Sequence, residues 1–341
     1  MLETPLTVAD LSEAGLLARI FPRLKGSTQA DSLLLLGPGD DAAIVGAPDG
    51  RALLSIDTQV QDQDFRLKWP NGHRTTGYDV GWKAAAQNLS DINAMGAQAT
   101  SMVVSLTLPS DTSVSWVEDL ADGLSACISG LGALRCSVAG GDLGRGRELS
   151  VTVAIVGTLD GQAPVLRSGA APGHTVALAG ALGRAAAGLA ILESGNSIGS
   201  LSVEQRSLVE AQCRPAPPLA AGPLALKGGA SAMLDISDGL VKDAGRMAAA
   251  SRVIIDLDPA VLKLLAVPLE PAAHLLGLEP LQWVLGGGED HGLLATFPAG
   301  VQLPPGFAAI GSVQALTATG GTGVNIAGRP ADIVGWDHFA D

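Results

Sequence analysis

The sequence predicts a two-domain α/β (α+β) protein, and three observations lead there. At 341 residues the chain suits two domains of ordinary size. Apolar runs and helical-period stretches alternate through the first half as helix, strand, strand, helix, strand, helix, strand, strand, with neighbours able to form hairpins. A proline- and glycine-rich stretch, residues 161–173, then precedes a second series of strands and helices. The expected division is residues 1–160 and residues 161–341.

Each element has its own signal. Residues 11–21 carry apolar side chains at helical spacing and lead into a basic polar loop at 23–31. Residues 33–36 and 52–56 read as strands, the first ending in GPGDD and the second in Asp57, with a PDG turn between them. Residues 61–78 are polar, contain a proline and two glycines, and read as a long functional loop. A helix is expected over 79–95, closed by Gly96, then a strand over 102–108 and a helix over 116–131. A short strand at 137–139 ends in GGD, and another strand covers 149–157. Beyond the boundary come a strand at 175–179, an alanine-rich helix, a helix near 202–213 and the turn RPAPP. A strand running into DISDG, a helix after Gly239, a strand at 253–257 and a run ending in GGGED follow. Residues 292–297 and 308–313 read as a hairpin-like pair.

Composition excludes several function classes. A hydrophobic share of 47% with 16% charged residues is ample for a packed core and excludes a disordered chain. With 34 acids against 21 bases the net charge is −13, which argues against a nucleic-acid partner bound through phosphate neutralisation. A small polyanion could still bind if metal ions bridged it to the acids. Cys127, Cys136 and Cys213 form no CxxC pair and read as reduced core residues of a cytoplasmic protein. No basic region precedes an apolar run at the N-terminus, so no signal peptide is expected. The apolar stretch 176–192, interrupted by Arg184 and three glycines, reads as a buried or half-buried helix, and no membrane partner is expected.

The distinctive feature is where the acids fall. Asp40 and Asp41 follow GPG, Asp57 follows LLSI, Asp91 lies in NLSDI, and Asp142 follows VAGG. Asp235 and Asp238 frame DISDG, and Glu289 and Asp290 follow LGGG. Glycine lets the backbone bend and approach a ligand closely, while a strand end holds a carboxylate rigidly and leaves it open. Hard cations such as Mg²⁺ take oxygen ligands from a few carboxylates and from phosphates, so such acids suit phosphoryl chemistry. Any one of them alone reads as a turn residue or helix N-cap; six recurrences in similar contexts weigh the other way. No GxxxxGK[ST], HRD or DFG occurs, the five histidines show no metal-ligand spacing, and GDLGRG does not match GxGxxG.

Taken in order, GDDAA (39–43), SID (55–57), AAAQNLSDINAMGA (84–97), GGDLGRG (140–146), RSGAAPGH (167–174), MLDISDGL (233–240), GGGEDHGL (286–293) and GWDHF (335–339) resemble the thiamine-monophosphate kinase family. The resemblance runs from about residue 30 to the end. It implies the fold of the aminoimidazole-ribonucleotide synthetase superfamily, with an N-terminal α+β domain whose sheet pairs in a homodimer and a C-terminal α/β domain. It also implies transfer of the γ-phosphoryl of ATP to thiamine monophosphate. By motif, Asp41, Ser55, Ile56 (through its backbone), Asp57, Asp91, Asp142, Asp235 and Asp238 would hold Mg²⁺, with Asp57, Asp91 and Asp142 central to catalysis. Gly141, Asp142, Arg167 and Ser237 would touch ATP; Asp64, Glu289 and Trp336 would line the thiamine side, Trp336 facing a cationic heterocycle.

Four positions depart from the family pattern. Ile56 stands where Thr is usual, which is harmless if the metal contact is a main-chain carbonyl and loses a ligand if it is the hydroxyl. Asp64 stands where His is common, placing negative charge near the expected substrate phosphate. His291 and Gly292 follow GGED where an aromatic and an acid are common. Two alternatives therefore stand beside the kinase: another ATP-dependent enzyme of the superfamily, such as an aminoimidazole-ribonucleotide or selenophosphate synthetase, and a nucleotide-binding paralogue without turnover. Setting the nine motif acids aside leaves 25 acids against 21 bases, so the acidic excess reads as a concentrated cluster.

Overall fold

The computed structural model describes residues 6–24, 33–36, 44–316, 321–333 and 335. The chain divides into two compact units, one of Met1–Ile92 with Ala97–Gln162 and the other of Asn93–Gly96 with Ala163–Asp341.

The first unit runs α1 (Glu13–Ile20), β1 (Leu34–Leu36), β2 (Ile44–Val45), β3 (Leu53–Val60), α2 (Gly77–Ala94), β4 (Gln98–Leu108), α3 (Val114–Gly130), β5 (Ser137–Arg145) and β6 (Ser150–Thr158). β1 and β2 make a small antiparallel ribbon, and the other strands form one sheet in the order β3-β6-β4-β5. β6 is antiparallel to both neighbours, while β4 and β5 are parallel. Parallel neighbours need a long crossover, which α3 supplies. One sheet face, with Met102, Val104, Leu106, Val151, Val153 and Ile155, is buried. Apolar stripes of α2 (Val80, Leu89, Ile92) and α3 (Val117, Leu120, Leu124) are buried with it. The described residues leave the other face open, with Leu54, Ile56 and Val103 respectively 76%, 64% and 44% exposed.

Two strands that carry motif acids are longer than the sequence suggests. β3 continues through Asp57 to Val60, so Asp57 lies inside the strand and not at its end. Acids are uncommon in strands, but β3 is an edge strand, and Thr58 and Val60 sustain the alternation. β5 likewise runs through GGD to Arg145, in parallel register with β4 past a bulge at Met102/Val103. Gly141 is required there: a Cβ would lie 2.0 Å from the Val104 carbonyl oxygen.

The second unit runs β7 (Thr175–Ala179), α4 (Arg184–Glu193), α5 (Val203–Cys213), α6 (Ala221–Lys227), β8 (Ala232–Ile236), α7 (Leu240–Ser251), β9 (Ile254–Leu257), α8 (Pro259–Ala266), α9 (Glu270–Leu276), α10 (Pro280–Gly286), β10 (Gly292–Phe297), β11 (Phe307–Gln314), β12 (Gly323–Ile326) and β13 (Arg329–Pro330). Its sheet has the order β13-β12-β9-β11-β7-β10-β8, antiparallel except between β9 and β12. The expected hairpin of 292–297 with 308–313 does not form. β10 and β11 both pair with β7, on opposite sides of it. Thr175 apart, β7 is buried throughout, as a strand flanked on both edges should be. The apolar stretch 176–192 is thus a strand followed by α4, not one helix.

One stretch, Pro259–Leu276, is long and apolar enough to cross a membrane by length and composition. It is broken into α8 and α9 by the 3₁₀ turn Val267–Leu269, and Leu262, Leu269 and Ala272 are buried in the unit.

Candidate active site

In the first unit, strand period and helix period bring two polar rows together. Ser55, Asp57 and Gln59 share one face of β3, and Lys83, Gln87 and Asp91 form one stripe of α2 at four-residue spacing. The Ser55 hydroxyl donates to Asp91 Oδ2 at 2.5 Å, and Gln59 Nε2 donates to Gln87 Oε1 at 2.8 Å. The buried Lys83 ammonium donates to the Asp64 carbonyl at 3.3 Å, where the chain leaves β3 for the 61–76 loop. Asp57 lies between the two strand rungs. Of these residues, Gln59, Lys83 and Gln87 carry no role in the sequence reading, although the spacing 83, 87, 91 marks the stripe.

The Ile56 side chain points to the opposite, open face and is 64% exposed, so on the Ser55–Asp57 side this residue presents only backbone. Asp64 Oδ2 accepts the Val60 N–H at 2.8 Å, closing the turn after β3.

Asp142 is placed apart from Asp57. Register pairs Asp57 with Val153, then Val104, then Gly141, while Thr58, Thr152, Ser105 and Asp142 form the adjacent row. The two aspartates therefore stand on the two edge strands and on opposite faces, with Asp142 exposed on the open one. Among the described residues no group of three or more Asp, Glu, His or Cys side chains forms a metal cage. Asp40, Asp41 and Trp336 lie outside the described residues.

In the second unit, two motifs meet at one end of the sheet because β8 and β10 are neighbours, with Ile236 opposite Gly292 and Asp235 opposite Leu293. The Glu289 N–H donates to the Ser237 carbonyl at 3.0 Å, tying GGGED to DISDG. Asp235 Oδ2 lies 3.1 Å from His291 Nδ1, both side chains buried. Glu289 Oε2 accepts from Gln212 Nε2 at 2.8 Å. Glu289 and His291 hold left-handed backbone, φ 66° and 54°, which non-glycine residues seldom adopt away from functional turns. Asp238 Oδ2 is 2.6 Å from Arg246 Nη2 and 3.3 Å from Lys242 Nζ. Gly335, just before Trp336, packs on this turn so tightly that a Cβ would lie 2.5 Å from the Asp238 carbonyl oxygen. Arg167 is exposed, its carbonyl anchored by the Ser251 hydroxyl at 3.1 Å.

Asp290 has the plainer of its two readings. Its Oδ1 accepts the Ala185 N–H at 3.0 Å at the start of α4, and Oδ2 is buried without a partner. Burial pushes its carboxyl up to about 6, against the N–H bond from Ala185 and the charges of His291 and Arg184. A raised carboxyl pKa stabilises the fold below the ordinary carboxylate range, and that stability is lost as pH rises through about 6. Asp290→Asn, which stays neutral, should remove roughly 2 kcal/mol of stability loss between pH 4 and pH 7. Denaturant midpoints of both proteins across that range measure it; parallel curves would contradict the assignment. Cys127 and Cys136 are free and buried, and burial pushes Cys127 up and Cys136 up to about 12, so neither of these two is a nucleophile.

Comparison with known proteins now adds to this geometry. Residues 39–159 match the family model described as AIR synthase related protein, N-terminal domain, and residues 171–292 match its C-terminal domain counterpart. Thiamine-monophosphate kinase of Mycobacterium tuberculosis (strain ATCC 25618 / H37Rv) is 44% identical over 311 residues, covering 91% of this chain and 87% of the relative. The chain belongs to the thiamine-monophosphate kinase family. Among solved members, the thiamine-monophosphate kinase of Stenotrophomonas maltophilia K279a is 30% identical with a TM-score of 0.76, covering 96% of this chain and 99% of that one. AaThiL complexed with AMPPCP and TMP is 29% identical with a TM-score of 0.74, covering 99% of this chain and 100% of that one. The thiamine-monophosphate kinase relationship thus spans both units, and the fold is the two-domain α/β (α+β) one that the sequence predicts.

Proposed function

We propose that this chain phosphorylates thiamine monophosphate to thiamine diphosphate with ATP, by direct in-line transfer. The observation that carries this reading is that AaThiL, similar along the whole of its length, holds AMPPCP and TMP together. An oxygen of the acceptor phosphate, already ionised at neutral pH, forms a bond to the γ-phosphorus. The bond from that phosphorus to the bridging oxygen of ADP breaks, and ADP leaves with the electron pair. No protein nucleophile or base is needed, so the protein's work is positioning and charge stabilisation.

The residues divide by that work. Ser55, Asp57, Asp91, Asp142 and the Ile56 carbonyl, with Asp41, are the metal-binding groups of the first unit; Asp235 and Asp238 are those of the second. This set is all oxygen, the donor type Mg²⁺ takes, and the short Ser55–Asp91 bond already orients one carboxylate. Mg²⁺ supplies neutralisation of the charge on donor and acceptor phosphates. Gly141, Asp142, Arg167 and Ser237 bind ATP. Glu289, held by Gln212, and Trp336 bind the thiamine moiety, with Asp64 near it.

The protein acts as a homodimer in the cytoplasm in this reading. A sheet face open to water is ordinarily polar, yet Leu54, Ile56 and Val103 project from this one, and a second copy would bury them. ADP release measured with thiamine monophosphate against aminoimidazole precursors tests the function. Release with thiamine monophosphate alone is expected. Release with the aminoimidazole precursor instead points to the superfamily alternative, and ATP binding without any release points to the paralogue without turnover.

A further inference from the structure

Asp243 lies one turn inside α7 and is 2% exposed, yet its carboxylate does not serve the helix's own first amides. It folds back to accept two backbone N–H groups from the preceding turn, those of Ser237 at 3.0 Å and Asp238 at 2.9 Å. Arg246, one turn further on, donates through Nη1 to Asp243 at 2.5 Å and through Nη2 to Asp238 Oδ2 at 2.6 Å. A buried carboxylate is tolerated only when paired and hydrogen-bonded, and here every partner leads to the same two residues. The guanidinium fork suits such bridging because its donors are fixed in one plane. From the other side, the Glu289 N–H on the Ser237 carbonyl braces the same turn.

We infer that Asp243 and Arg246 are positioning residues for phosphoryl transfer: Asp243 fixes the backbone of Ser237 and Asp238, and Arg246 fixes the Asp238 carboxylate. This rests on the proposed roles of Ser237 toward ATP and Asp238 toward Mg²⁺. A rigid scaffold of this kind commonly matters about 10–100-fold to the group it orients. Neither residue touches the reacting atoms.

The experiment compares Asp243→Ala, Asp243→Asn and Arg246→Met in the full-length protein. It reads kcat and the KM for each substrate, per folded molecule, and hydrogen exchange of the 237–238 amides. Asp243→Ala should lower kcat/KM for ATP by about 10–100-fold and speed exchange at 237–238, while KM for thiamine monophosphate holds. Asp243→Asn keeps an oxygen for the two amides and should recover most of that loss. Arg246→Met should lower kcat/KM for ATP with a smaller effect on exchange. A purely structural role would reduce the folded fraction and leave both substrates' constants unchanged per folded molecule, which overturns the inference. So does an Asp243→Asn variant as impaired as Asp243→Ala. If Asp243→Ala does not fold, wild-type ATP constants in Arg246→Met overturn it. If the wild-type protein makes no thiamine diphosphate, the functional reading fails, and exchange decides the brace: unchanged protection at 237–238 in the variants overturns it.

Discussion

Replacing Asp57 with Asn is expected to lower turnover about 10²–10³-fold while the protein keeps its fold. Asp57 sits on the β3 face that bears Ser55 and Gln59, opposite the α2 stripe that ends in Asp91, so the change removes one charge from a polar row and little apolar packing. In the proposed role Asp57 holds the charge-neutralising ion, so its loss strikes the transition state, where negative charge is shared among donor, acceptor and transferred group. Steady-state rates at saturating Mg²⁺, beside an unfolding curve, separate the two effects. Near-wild-type turnover would remove the metal role from Asp57. Asp142→Asn should behave alike although Asp142 stands on the other sheet face, because its assigned role is the same.

Leu54→Lys is expected to convert the proposed dimer to monomers. Leu54 is 76% exposed on the open face of an edge strand, next to Ile56 on the same face. Burying a leucine there contributes about 1.5–3 kcal/mol, and a twofold interface counts the substitution twice. The dissociation constant should rise by roughly 10²–10⁴-fold, before the like-charge cost of two facing lysines is added. Sedimentation at micromolar protein reads the mass directly. A variant that stays dimeric would move the interface elsewhere, and a wild-type protein that sediments as a monomer would remove the dimer altogether.

How much of this could be read from the sequence follows a physical line. The helices over α2, α3 and α7 announce themselves through local periodicity, and the motif acids through their glycine contexts. Strand faces do not, because they depend on register with partners distant in the chain. Asp57 and Asp142 look equivalent in sequence, each an acid after an apolar run. Only the rows through β6 and β4 reveal that they stand on opposite faces. For the same reason the pairing of 292–297 with β7, and not with 308–313, was invisible: β7 precedes them by more than a hundred residues. Asp290 illustrates a different limit. Adjacent to Glu289 in one motif, it turns inward to begin α4 while Glu289 meets Gln212, a divergence that the left-handed backbone at Glu289 and His291 creates. Asp243 and Arg246 carry in sequence the spacing of an ordinary surface ion pair; burial and the two backbone bonds distinguish them.

The central claim is direct transfer of a phosphoryl group from ATP to thiamine monophosphate, with the protein as scaffold and not as carrier. ATP made chiral at the γ-phosphorus with oxygen isotopes tests it in one measurement. The account predicts thiamine diphosphate as the product with inverted configuration at the transferred phosphorus. Retention of configuration would require a phosphorylated protein intermediate, and absence of labelled thiamine diphosphate would remove the reaction itself; either result contradicts the account.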